Sequence, residues 1–151
     1  MKDYIGYIAK RPRVEKQGSH GLFSSHDEPI DLNDVAKTVA NHKGVVWTTI
    51  MSLRREDAVL LGYDNANAWK DLLRKKTNDM AKAMGIPYKD LRWYAAFHNE
   101  GNHPHVHIVA YSEGKVPYMT QRGLEDLKSV LARTIFRDEL HNIYDDQTQY
   151  R

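Results

Sequence analysis

Between Leu91 and Ser112 two runs rich in β-branched and aromatic residues flank the short turn Gly101-Asn102-His103-Pro104. The runs Leu91 to His98 and His105 to Ser112 predict two strands, and a turn this short joins them most simply as an antiparallel hairpin. Alternate residues of a strand face the same way, so His105 and His107 share one face about 7 Å apart at the backbone, while Val106 points into the opposite, buried one. His98 ends the neighbouring strand, across the turn from both. The hairpin therefore commits the chain to a sheet with ring nitrogens gathered at one end.

The remaining pattern supplies helices to cover that sheet. Asp3 to Lys10 places Tyr4, Ile5, Tyr7 and Ile8 at helical spacing before Pro12 stops it. Arg11 to Pro29 reads as a long loop anchored at Leu22 and Phe23. Asp31 is placed to cap a helix through about His42, with Leu32, Val35 and Val39 inward and Gly44 ending it. Val45 to Leu53 is the best central-strand candidate of the first half. A short helix, Arg54 to Leu61, ends at Gly62. One longer helix runs from Asp64 or Asn65 to near Gly85, with Trp69, Leu72, Leu73 and Met80 on one face and a solvated basic face of Lys70, Arg74, Lys75, Lys76 and Lys82. The last helix, Thr120 to about Tyr144, carries Leu124, Leu127, Val130, Leu131, Ile135 and Leu140. Three strands with four or five helices predict an α+β fold, an antiparallel sheet covered by helices. At 151 residues with 41% hydrophobic side chains, the chain forms one domain, 1–151, and three strands make a thin sheet for it.

The chain has no cysteine, so any metal must be held by His, Asp or Glu, and the composition fits a reducing cytoplasm. No apolar run approaches the roughly 18 residues of a membrane span, and no signal peptide precedes the first helix. A soluble, cytoplasmic protein is expected. Three neutral imidazoles leave coordination positions open, as a catalytic metal needs, and by intrinsic affinity they favour Mn, Co, Ni, Cu or Zn over Mg. Glu100 is placed to receive a ring N–H and fix a tautomer, or instead to bind the ion through water. His103, before Pro104 in the turn, need not share the face of the other three. An isolated His-x-His is more often simply solvated; His98, Glu100 and Pro104 around it weigh against that here. Net charge is only +2, but Lys10, Arg11, Arg13 and Lys16 form one basic run and Arg54 with Arg55 another, both suited to phosphate. Trp47, Trp93 and Tyr94 are aromatics able either to stack on bases or to fill the core.

The stretch His98-x-Glu100 followed by His103-Pro104-His105-Val106-His107-Ile108 resembles the metal motif of HUH endonucleases, and in detail that of MobP/MobL-type conjugative relaxases. Tyr4-Ile-Gly-Tyr7-Ile-Ala-Lys-Arg-Pro12, Ser52-Leu-Arg-Arg-Glu-Asp-Ala58, Leu61-Gly-Tyr-Asp64 and Leu91-Arg-Trp-Tyr-Ala-Ala-Phe-His98 are similar to the same family. The resemblance implies a relaxase-like domain that nicks single-stranded DNA at a transfer origin, a tyrosine attacking the scissile phosphate to form a 5′-phosphotyrosine. It implies His98, His105 and His107 as metal ligands, Glu100 as supporting carboxylate, and a divalent cofactor, Mn2+ or Mg2+ first, with Zn2+, Co2+ or Ni2+ serving in vitro. Tyr7 matches the family's Tyr-Ile pattern best and Tyr4 is the alternative, although spacing alone gives both a packing role. Lys10, Arg11, Arg13, Ser52, Arg54 and Arg55 would contact DNA, Ser52 having a helix-capping alternative, and accessory mobilisation proteins would assist. Relaxase domains of this type carry a further strand before the tyrosine helix and a region after the last one, so the resemblance also implies a domain shortened at both ends. Two other readings remain on the residues: a three-histidine hydrolase acting on another substrate, and an inactive single-strand-binding remnant.

Overall fold

In the computed structural model, which describes residues 4–16 and 18–149 with side chains through Arg137, four strands form one antiparallel sheet. They are β1 (Leu22–Ser24), β2 (Val46–Ser52), β3 (Leu91–His98) and β4 (His105–Ser112), in the order β1-β3-β4-β2. The hairpin pairs along its whole length, from Leu91 opposite Ser112 to His98 opposite His105. Strand β2 then places Ile50 opposite His107 and Ser52 opposite His105. Register thus brings every histidine of the hairpin's polar face to the same end as Ser52.

Helices cover both faces, giving the expected α+β class. On the histidine face lie α1 (Tyr4–Lys10) and α2 (Leu32–Asn41), whose Ile5, Ile8, Ala9 and Val39 pack with Ala96, Val109 and Tyr111. Asp31 caps α2, its carboxylate accepting from the Asn33 and Asp34 amides. On the opposite face lie α3 (Arg55–Leu61), α4 (Ala66–Lys75), α5 (Thr77–Ala83) and α6 (Gln121–Gln149). Trp69, Leu73, Leu131 and Ile135 are buried there against Trp93, Phe97, Val106 and Ile108. Each such side chain contributes roughly 1.5–3 kcal/mol through burial. No helix of the described residues is long and apolar enough to cross a membrane. Asp3 and the Leu140 side chain, assigned above to the first and last helices, lie outside what is described.

Three expectations need correction. The sheet has four strands, not three, because Leu22 to Ser24, read as a loop anchor, pairs with Ala96 to Tyr94 of β3. Three residues are too few for alternation to show, and the pairing is imposed by β3. The single helix expected from Asp64 or Asn65 to near Gly85 is two, broken at Lys76, beside which the Thr77 hydroxyl donates back to the Leu73 carbonyl at 2.9 Å, a contact that disfavours a continuous helix. The Trp93 indole N–H donates to that same hydroxyl, so Trp93 belongs to the core and not to a base-stacking surface. Arg74, read as part of a solvated face, clasps the loop after β1, donating to the Ser24 and His26 carbonyls and to Asp27 at 2.6 Å.

The loop after α1 seals the end of β3. The Val14 backbone bridges to His98, the Glu15 amide donates to the Phe97 carbonyl, and the Asn99 amide to that of Arg13. Arg13 turns the chain there with a left-handed φ of 78°. Gly21 lets the strand that follows come close: a Cβ would collide with the Val14 side chain and stand 2.8 Å from the Glu15 carbonyl oxygen. Gly21→Ala is therefore expected to destabilise the fold by about 1–3 kcal/mol through overpacking. Urea unfolding should show a lower midpoint at unchanged slope; an unchanged midpoint would mean that the loop yields freely.

Candidate metal centre

His98, His105 and His107 project from the paired ends of β3 and β4 toward one point. Their ring centroids are 4.6 to 5.2 Å apart, and one nitrogen from each ring falls within 4.8 Å of the others. His98 is fully buried and His107 nearly so, whereas His105 stands half-buried at the open side. His103, exposed in the turn, stays outside the group.

Each ring's other nitrogen is already engaged. His98 Nε2–H donates to the Ile8 carbonyl at 2.8 Å, His105 Nδ1–H donates to the His103 carbonyl at 3.1 Å, and His107 Nδ1 shares a hydrogen bond of 3.2 Å with the Tyr4 hydroxyl, donating to it in the tautomer that leaves Nε2 free to ligate. These contacts leave His98 Nδ1, His105 Nε2 and, in that tautomer, His107 Nε2 free to ligate. His98 Nδ1 and His107 Nε2 are buried without any hydrogen-bond partner. Orphaning two such nitrogens costs on the order of 1–3 kcal/mol each, a cost that a coordinated cation would remove. The residues present thus fit a divalent metal.

Burial, reinforced by His98, His105 and Arg11, lowers the His107 pKa to about 4. Burial also lowers that of His98, opposed by its hydrogen bond to the Ile8 carbonyl. Both rings are neutral at pH 7, so ligation displaces no proton. Because these folded values lie below the ordinary 6.5, the unfolded chain takes up protons first as pH falls. Stability present above about pH 6.5 is lost progressively as the pH drops toward 4. Melting of the metal-free protein at pH 7.5, 6 and 5 should show a falling midpoint; a flat profile would contradict the burial of these rings.

Glu100 does not hold a ring. Its carboxylate lies instead 3.9 Å from the Arg11 guanidinium, with Oε2 buried and lacking a hydrogen bond. Arg11 donates in turn to the Tyr7 hydroxyl at 2.6 Å and lies over the Tyr7 ring. Tyr7 is half exposed. Tyr4 is less accessible, its pKa raised by burial and by neighbouring Tyr7. The two tyrosines of one helix therefore differ in environment, one leaning on His107 and one half exposed beside an arginine.

A family model for MobL relaxases matches residues 1–151. The chain belongs to the MobL relaxase family. No curated protein and no solved structure matches it. Membership of a relaxase family implies DNA binding, and the residues expected from sequence to contact it differ in exposure and pairing. Lys10, Arg13 and Arg54 are exposed, Arg54 sharing its charge with Asp57. Ser52 is exposed at the end of β2 beside His105, and α3 begins without any side-chain cap. Arg55 is committed elsewhere: it donates to the Gly101 carbonyl and to Asn99 Oδ1 at 2.6 Å, bracing the turn that joins β3 and β4. Two roles were missed from sequence, the Tyr4 support of His107 and the Arg55 brace. Neither has a local signal, since the partners lie 103 and about 45 residues apart.

Proposed function

We propose that this MobL relaxase nicks single-stranded DNA at a transfer origin by tyrosine transesterification, for mobilisation of a plasmid or conjugative element in the cytoplasm. The observation that carries the reading is the pair of orphaned, buried ring nitrogens of His98 and His107 beside a helix that presents Tyr7. A divalent cation, Mn2+ or Mg2+ first, would be held by His98, His105 and His107, and when bound it supplies Lewis-acid polarisation of the scissile phosphate.

The remaining work belongs to the chain. Tyr7 Oη attacks phosphorus, the bond from phosphorus to the 3′-oxygen breaks, and the phenolic proton passes through solvent to the departing 3′-hydroxyl. Because a phosphodiester is exchanged for a phosphotyrosine, the reverse attack reseals the strand. Arg11, already at the Tyr7 oxygen, compensates the negative charge on that oxygen in both directions and is itself held by Glu100. Lys10, Arg13, Ser52 and Arg54, all exposed, would contact the strand, the three cations binding phosphates in a salt-sensitive way. Accessory mobilisation proteins would bring the origin to the site.

The test is covalent capture: the protein with Mn2+ and a labelled random single-stranded DNA pool, resolved on a denaturing gel with and without EDTA. A chelator-sensitive adduct supports the reading. Metal-dependent release of DNA fragments without adduct would point to a hydrolase, and binding without any cleavage to a remnant.

A further inference from the structure

Helix α1 gives the centre more than a nucleophile. Its Ile8 carbonyl holds the outer N–H of His98, its Tyr4 hydroxyl is hydrogen-bonded to the outer nitrogen of His107, and Tyr7 lies one turn beyond Tyr4 on the same seven residues. Ile5, Ile8 and Ala9 are wholly buried against the sheet, so the helix sits as a rigid plate behind the rings. We infer that Tyr4 is a positioning residue of the metal centre, through which ion binding and the docking of the nucleophile helix are coupled. The inference rests on reading the three histidines as a metal centre, and not on the DNA chemistry.

A histidine whose Nδ1–H is held presents the Nε2 lone pair, whereas an unheld ring divides itself between tautomers and rotations, most of which cannot ligate. Tyr4 performs that selection for His107 at 3.2 Å, its ring edge-on to the imidazole with centroids 6.3 Å apart. The Tyr4 side chain is half-buried and packs among the apolar residues of α1 and the sheet, so Phe at this position keeps the ring and removes only the hydroxyl. Linkage is reciprocal: if α1 in its docked position improves ion affinity, the ion improves the docking of α1 by the same factor. The ion would then set Tyr7 in place before DNA arrives.

The experiment measures Mn2+ affinity by calorimetry, and the Co2+ absorption spectrum, for the wild type, Tyr4→Phe and Tyr7→Phe, with melting of each metal-free protein alongside. Tyr4→Phe is expected to bind Mn2+ roughly 10- to 100-fold more weakly and to shift the Co2+ bands, with little change in metal-free melting. Tyr7→Phe is expected to stay within about twofold of wild type. Hydrogen exchange of wild-type α1 amides should slow when Mn2+ is added, and this readout decides the matter should Tyr4→Phe fail to fold. Unchanged Mn2+ affinity in Tyr4→Phe, or α1 amides indifferent to Mn2+ in the wild type, would overturn the coupling while leaving the metal centre standing. A wild type that binds neither ion would overturn both.

Discussion

Tyr7→Phe is expected to reduce covalent DNA capture by a factor on the order of a thousand or more, to below detection on a gel, while Mn2+ binds as before. The substitution removes one oxygen from a half-exposed ring at the surface of α1, so stability should move by less than about 0.5 kcal/mol. What disappears is the atom to which the phosphate would transfer. The cost is large because the other phenol of the helix, Tyr4, is a poor substitute: its hydroxyl is hydrogen-bonded to His107 and its pKa is raised by burial. The check is the denaturing-gel assay, with peptide mapping of the wild-type adduct. An adduct undiminished in Tyr7→Phe would move the nucleophile elsewhere, with Tyr4→Phe the next protein to assay.

His105→Ala should remove both metal affinity and adduct formation, with Mn2+ binding weakened at least about a hundredfold and capture lost at any practical Mn2+ concentration. His105 is chosen over its partners because it is half-buried at the open side, so its loss leaves no sealed cavity. Removing the fully buried His98 would instead leave a void beneath α1 and an unpaired Ile8 carbonyl, and activity would then report folding as well as chemistry. Calorimetry with Mn2+ beside a thermal melt separates the two for His105→Ala. Wild-type affinity in that variant would show that the three nitrogens do not act together.

The elements legible in the sequence were those whose pattern is local. Strands β3 and β4 announced themselves through β-branched runs around a tight turn, α2 through Asp31 at its cap, and the histidine group through the two-residue period of one strand plus its hairpin partner. Where contacts are made by distant segments the pattern fell silent. Strand β1 has three residues and exists because β3 offers an edge; the break at Lys76 follows from a hydroxyl that could equally have faced solvent; Glu100, beside the ligands in sequence, was drawn to Arg11 from the loop after α1. Arg55 looked like a free cation because nothing local reveals that the turn at Gly101 folds back onto it.

Two of the three outer supports of the histidines are main-chain carbonyls, those of Ile8 and His103. A carbonyl is common to every residue type, so drift at positions 8 and 103 leaves the hydrogen bond available provided the backbone keeps its course. His103, exposed, can change almost freely on these grounds; Ile8, buried, is constrained by volume and not by chemistry. Position 4 alone stakes its support on a particular side chain. The centre is thus buffered against point mutation in two of its three supports, and its evolutionary fragility is gathered into one hydroxyl.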